Sequence, residues 1–257
     1  MNIVKDILLN NKEAFKKSIY GLKSNPALLV IGIPYIAVMY MFMIIASNLS
    51  FFGGIIIFAG QAAVISSYLY IIENVLMYNS FSMSDFKDGF RVYFRKAYGI
   101  LFILWIIRYG INLFIVPILS LIPFFGMLLN IVMFIAAIIL NPLPESIYQK
   151  HYDEWHTITY TVEFFKENWL DWIIPNAIIA IAVYFASLGI QTIFYNIFGS
   201  IITMGAMGTS IYTALYVVVF SIIIQALMGF SMLFRGYLYG ILSNTTRRQR
   251  NYRRNLS

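Results

Sequence analysis

The chain has 257 residues, of which 60% are hydrophobic and only 11% charged, with no cysteine and a formal charge of +7. A soluble domain carries about 45–50% apolar and about 25% charged residues, so the composition excludes a soluble globular domain and, more strongly, a disordered chain. Without cysteine there is no disulfide scaffold, thiolate nucleophile or thiolate-held metal.

A helix crossing the roughly 30 Å hydrocarbon core needs about 20 mostly apolar residues. In chain order, residues 1–24 predict an interfacial amphipathic helix, with Val4, Leu8, Phe15, Ile19 and Leu22 near one face and lysines around it. Asn25 before Pro26 reads as an N-cap followed by proline at the first helical position, opening a first span over 27–47. This span follows a charged segment and is longer than a signal-peptide core, so it reads as uncleaved. A second span is predicted over 54–78, then an interfacial segment over 83–96 containing Asp85, Lys87, Asp88, Arg91, Arg95 and Lys96. The third and fourth spans, 97–120 and 124–142, meet at a tight turn marked by Pro123, Phe124 and Phe125. A third interfacial segment, 145–172, holds Trp155, Tyr160, Phe164, Phe165, Trp169 and Trp172, residues typical of the headgroup layer. Spans five and six follow over 173–197 and 210–235, then a basic tail over 245–257. The runs lack the period-2 alternation of membrane strands. The expected fold is an all-α integral membrane protein of six transmembrane helices in one membrane domain.

Sixteen of the eighteen basic residues fall in the N-terminal segment, the loops after spans two and four, and the tail. The opposite loops, near 48–53, 121–123 and 198–209, carry no charge of either sign. Lysine and arginine bias sets orientation, so both termini are expected in the cytoplasm. The tail arginines Arg247, Arg248, Arg250, Arg253 and Arg254 read first as a topology determinant, with attraction to anionic headgroups adding on the order of 1 kcal/mol each. Nucleic-acid binding is not expected.

Three segments look like copies of one helix–hairpin unit. Ile19–Asn25 aligns with Arg91–Ala97 and Val162–Asn168, placing Lys23, Arg95 and Lys166 in register at separations of 72 and 71 residues. A true threefold repeat and a shared preference for aromatic and basic residues where chains enter a membrane both account for this.

Two charges remain unexplained by topology. Arg108 sits near the middle of span three, and Glu73 lies in span two, about 10 Å closer to the cytoplasm at 1.5 Å per residue. Two long side chains leaning together would close that gap. A Glu73–Arg108 pair reads either as a structural lock or as a polar site for an anion or headgroup, and Asn112, one turn beyond Arg108, would share the face. Weaker candidates are Gln61 and Gln225, read as interhelical hydrogen-bonding amides, and Arg235, read as snorkelling from the end of span six. Ala59, Ala63 and Ser67 form a small-residue stripe, and Gly236 and Gly240 match GxxxG; both suit close helix packing. His151 and His156 are five apart, unlike a zinc pair, and no hydrolytic or phosphate-binding motif is present. No catalytic residue, cofactor or metal is therefore expected.

The stretch Asn141-Pro142-Leu143-Pro144-Glu145-Ser146-Ile147-Tyr148-Gln149, the later Glu163-Phe164-Phe165-Lys166-Glu167-Asn168-Trp169 and the early Lys23-Ser24-Asn25-Pro26 resemble a group of bacterial six-span membrane proteins. That group includes uncharacterised families and the membrane domain fused to some glycerophosphodiester phosphodiesterases. The resemblance implies a bacterial cytoplasmic-membrane protein with an accessory or anchoring role, because the catalytic barrel of the fused members has no counterpart here. In the Pro144–Glu145 motif the prolines are expected to end span four, with Glu145 near the start of the next helix, where an acid suits the dipole. Three functions stand: a non-enzymatic scaffold or accessory subunit engaging a partner protein or lipid, the membrane subunit of an ATP-driven transporter with a partner ATPase, and a lipid-handling protein built on Glu73 and Arg108.

Overall fold

The computed structural model describes residues 3–49, 52–119, 124–202, 209–245 and 249, with side chains described for 5–49, 52–118, 124–185, 188, 222–245 and 249. The described residues are helical, with no strand among them. The helices are α1 (Ile3–Ser24), α2 (Gly32–Ser47), α3 (Gly53–Tyr78), α4 (Met83–Val92), α5 (Phe94–Gly110), α6 (Val116–Leu119), α7 (Phe125–Ile139), α8 (Leu143–Gln149), α9 (Glu154–Ile202) and α10 (Thr209–Asn244). A 3₁₀ turn, Pro26–Leu29, precedes α2, and a π-helical turn, Ile111–Ile115, joins α5 to α6.

Among the described residues, five stretches are long and apolar enough to cross a membrane: Gly53–Tyr78, Phe94–Ile118, Phe125–Gln149, Glu154–Phe185 and Ile222–Asn244. The chain is accordingly a multi-pass membrane protein. The expected first span, 27–47, takes a different form. The side-chain amide of Asn25 donates back to the Gly21 carbonyl at 2.9 Å and caps nothing ahead of it, so Asn25 closes α1 and Pro26 starts a 3₁₀ turn. The apolar helix that follows, α2, has 16 residues. The expected boundary between the interfacial segment 145–172 and span five falls a few residues earlier, at Asn168 (φ −123°, ψ 16°), where two helical segments of α9 meet at a kink. Helix α10, Thr209–Asn244, contains the expected sixth span, 210–235, and continues beyond it. Of the uncharged loops, 121–123 and half of 198–209 fall outside the described residues, as does most of the tail.

Two compact units emerge, one from residues 1–37 and 170–257, the other from 38–169. In the first, α1 packs along α10, and the 3₁₀ turn packs on both. The buried face of α1 is Asp6, Asn10, Ala14, Ser18, Gly21 and Asn25, spaced three or four apart. Leu8 and Phe15 of the expected apolar face are instead 63% and 48% exposed, although the Phe15 edge meets the Phe230 ring at 5.3 Å. Small and polar residues therefore make the helix–helix contact and let the backbones approach. Trp172, expected at a headgroup surface, is fully buried in this unit.

In the second unit α3 is the central element, contacting α4, α5 and α8. It ends at Asn79, whose left-handed conformation (φ 55°) lets its N–H reach the Val75 carbonyl at 3.0 Å. Helix α4 begins with a capping box: the Asp85 N–H donates to the Ser82 hydroxyl, and the Ser82 N–H donates to the Asp85 carboxylate at 2.6 Å. The small-residue character of α3 serves this contact. Ser67 donates to the Phe86 carbonyl at 2.9 Å, and a Cβ at Gly89 would lie 2.9 Å from the Ser67 Cα.

Candidate functional site

The polar residues singled out by sequence do not converge. Glu73 is half-buried near the end of α3, and its Oε2 accepts a hydrogen bond from the Tyr93 hydroxyl at 2.5 Å. Arg108 is exposed and makes no ion pair or hydrogen bond among the described residues. The expected Glu73–Arg108 pair is therefore not formed. Tyr93, which joins α4 to α5, is closer to the depth of Glu73 than Arg108 is and takes the carboxylate instead. Asn112, on the π-helical turn, is also exposed.

The group around Glu73 forms the candidate site. Tyr93 reaches this position because the chain breaks there: its φ of −107° and ψ of 5° end α4 and start α5. The break has an identifiable cause. The Ser66 hydroxyl of α3 receives the Tyr93 N–H at 2.8 Å and donates to the Gly89 carbonyl at 2.5 Å. Ser66 thus inserts into the i→i−4 step that would otherwise join those two groups. The Tyr93 ring meets the Tyr70 ring at 6.4 Å. Burial first, and then the Glu73 hydrogen bond, hold the Tyr93 phenol well above its ordinary range, so it stays a donor.

One turn along, Lys96 donates from Nζ to the Ile147 carbonyl at 2.8 Å and the Lys150 carbonyl at 2.6 Å. A cation here satisfies two carbonyls at the C-terminal end of α8, where the helix dipole favours positive charge. Replacing Lys96 by methionine should cost about 2–4 kcal/mol, since charged hydrogen bonds contribute about 1.5–3 kcal/mol each and buried carbonyls would be left unmet. Thermal unfolding in detergent checks this; an unchanged midpoint would show that the carbonyls find other donors.

Glu145 is fully buried in the first turn of α8, after Pro142, as the Pro144–Glu145 reading expected. Ser146 beside it accepts from the Thr161 hydroxyl at 2.9 Å, tying α8 to α9. Asp153 caps α9, accepting the His156 N–H at 2.7 Å, and this bond, more than the side-chain one, holds its carboxyl below the usual range. Arg95 approaches Glu154 at 3.8 Å, but its side chain is almost wholly exposed, so the pair contributes little.

Gln61 is exposed. Gln225, in the first unit, lies against Gly32, so close that a Cβ there would displace its side-chain oxygen. Arg235 does not extend freely towards headgroups: its guanidinium lies over the Trp172 ring, 5.4 Å from the centroid. Among the described residues no three of His, Asp or Glu gather in a way that would hold a metal.

Tyr93, Lys96 and Ser66 escaped sequence reasoning as members of the site. Tyr93 and Lys96 are visible in the sequence only as an aromatic and a basic residue where the chain enters an apolar helix, and Ser66 falls outside the small-residue stripe of Ala59, Ala63 and Ser67. The arrangement joins helices by buried and part-buried hydrogen bonds. What fold and site together define is an all-α multi-pass membrane protein with a polar junction at the foot of α3. No family model, curated protein or solved structure matches the chain.

Proposed function

We propose that the protein is a non-enzymatic membrane scaffold or accessory subunit that engages a partner protein or lipid at its cytoplasmic face. The observation that carries this reading is the packing of α1. Its polar and small face lies against α10, leaving Lys5, Lys12, Lys16 and Lys23 exposed beside Leu8 and Phe15. Lys17 is paired with Glu13 at 2.8 Å and Asp6 is buried, so the four remaining lysines form an unneutralised stripe. Helix α4 likewise turns Lys87, Asp88 and Arg91 outward. Such surfaces suit recognition rather than turnover, in keeping with the resemblance to the bacterial six-span group.

The same reading has six spans in a bacterial cytoplasmic membrane with both termini inside. The 3₁₀ turn and α2 together, at about 2.0 and 1.5 Å per residue, are about 32 Å long and long enough to serve as the first span. The threefold helix–hairpin repeat gains support from Asn25 and Asn168. These occupy equivalent positions in the alignment, each at a helix break, each donating to the carbonyl four residues back (Gly21 at 2.9 Å, Phe164 at 3.1 Å). In the middle copy the equivalent position, Ala97, lies inside α5, and the break falls four residues earlier, at Tyr93.

Affinity capture of the tagged chain from its native membrane tests the function. The wild type should bring down a stoichiometric protein or lipid that the K5E/K12E/K16E/K23E variant loses; nothing co-purifying with the wild type would sink the proposal. For topology, the absence of cysteine makes single-cysteine labelling clean. In inside-closed cells, a membrane-impermeant maleimide should modify Asn48→Cys and Phe124→Cys but spare Lys23→Cys and Lys87→Cys. The reverse pattern would invert the orientation.

A further inference from the structure

Arg108 is the charge that neither the fold nor the topology absorbs. It is the fifteenth residue of the 25-residue apolar stretch Phe94–Ile118, and it lies in the run 105–109, whose residues are all exposed. Asn112 lies one turn on, also exposed, where the backbone passes into the π-helical turn Ile111–Ile115. Single π-turns inside α-helices occur frequently at functional positions. Beside this polar pair runs an aromatic ladder: Tyr98, Phe102, Trp105 and Tyr109 stack with centroids 5.3–6.3 Å apart and planes within 20°, the last three exposed and Tyr98 packed against Phe58. An arginine stays charged in any protein environment, and at mid-bilayer depth it faces the core of a bundle or a partner rather than lipid tails.

We propose that the Arg108–Asn112 face of α5 is an intramembrane docking surface for a helix of another membrane protein that carries a carboxylate at mid-depth. Charge complementarity requires an acid, and Asn112 supplies a second hydrogen-bonding group at the next turn. A second copy of this chain does not provide that acid. Glu145 and Asp171 are buried, Glu73 is taken by Tyr93 near the cytoplasmic end of α3, and the exposed Glu163 and Glu167 precede the Asn168 kink, in the charged first part of α9 rather than at mid-depth. The aromatic ladder gives the incoming helix a rigid flank. This inference builds on the accessory-subunit reading, but its site is separate from the α1 surface. Loss of capture by the α1 lysine variant and failure of the experiment below are therefore distinguishable.

The test reconstitutes the full-length chain, donor-labelled, into phosphatidylcholine vesicles with an acceptor-labelled, leucine-rich transmembrane peptide bearing one central aspartate. Wild type should bind this peptide roughly tenfold more tightly than an all-leucine control, the range seen for polar contacts between model helices. R108L, whose lost side chain is exposed and makes no hydrogen bond or ion pair among the described residues, should lose the preference while keeping its elution profile. R108D should reverse it, preferring a peptide with a central lysine. Equal binding of the aspartate and leucine peptides would overturn the proposal. So would Arg108-dependent energy transfer between two copies of the chain without peptide, which would mean self-association. An aspartate preference absent in phosphatidylcholine, with Arg108 recruiting phosphatidylglycerol instead, would reassign the residue to lipid and overturn it too.

Discussion

Replacing Trp172 by alanine should destabilise the protein by about 3–5 kcal/mol, read as a lowered unfolding midpoint in detergent. The indole is fully buried in the unit formed by 1–37 and 170–257. Its ring meets Tyr239 edge-on at 6.0 Å with an interplanar angle of 81°, and the Arg235 guanidinium covers it at 5.4 Å. In a membrane protein the transfer gain of burying an apolar group is reduced, because lipid is as apolar as the core. The cavity and the lost contacts remain, so much of the penalty survives. Trp172→Phe keeps a ring against Tyr239 and should lose far less, about 1 kcal/mol. Arg235→Leu should cost about 0.5–2 kcal/mol in the wild type and less in the W172A background, since its ring partner is already gone. Additive costs in the double variant would remove the cation–π contact as an explanation for the position of Arg235.

These residues also mark where sequence reasoning stopped. Trp172 and Arg235 were both visible as residues suited to the headgroup layer, and each alone fits that setting. Their contact joins positions 63 residues apart, which no periodicity reveals. The second span was legible almost to the residue, 54–78 against Gly53–Tyr78, because glycines open it and the left-handed Asn79 closes it. The start of α8 was legible because Pro142 and Pro144 constrain the backbone before Glu145. At Asn25 the local signal was ambiguous in a specific way. An asparagine amide can accept from the helix ahead or donate to the helix behind, and here it donates behind. The 172–173 boundary was displaced for a different reason. Composition reports what surrounds a helix, while the break itself sits at Asn168, whose side-chain amide donates back to the Phe164 carbonyl, so Trp169 and Trp172 already belong to the segment that follows. The site was hidden because its members come from α3, the α4–α5 junction and the end of α8, and only the packing of α4 on α3 brings them together.

That packing makes Gly89 and Ser66 sensitive small residues of the second unit. Valine at Gly89 should cost about 3 kcal/mol. Its Cβ would stand 2.9 Å from the Ser67 Cα and 3.2 Å from the Ser67 carbonyl oxygen, both backbone atoms that do not rotate away. Helix α4 must lift, which adds strain of about 1–3 kcal/mol and threatens the Ser66 and Ser67 hydrogen bonds at about 1 kcal/mol each. Helix propensity favours the larger residue by less than 1 kcal/mol and does not offset this. Ser66→Ala perturbs the same contact differently. With the hydroxyl gone, the Tyr93 N–H and the Gly89 carbonyl are free to bond directly, so the expected result is a straighter α4–α5 rather than two orphaned groups. Stability should fall by about 1–2 kcal/mol, and the Tyr93 hydroxyl should turn away from Glu73. Spin labels on Met83→Cys and Phe102→Cys, both exposed positions in a chain without native cysteine, read this directly. In S66A the separation should lengthen towards the roughly 28 Å of nineteen residues in one continuous helix. An unchanged separation with unchanged stability would mean that the break at Tyr93 is set by the packing of α4 on α3 alone, and that the Ser66 hydroxyl merely occupies a gap made by other contacts.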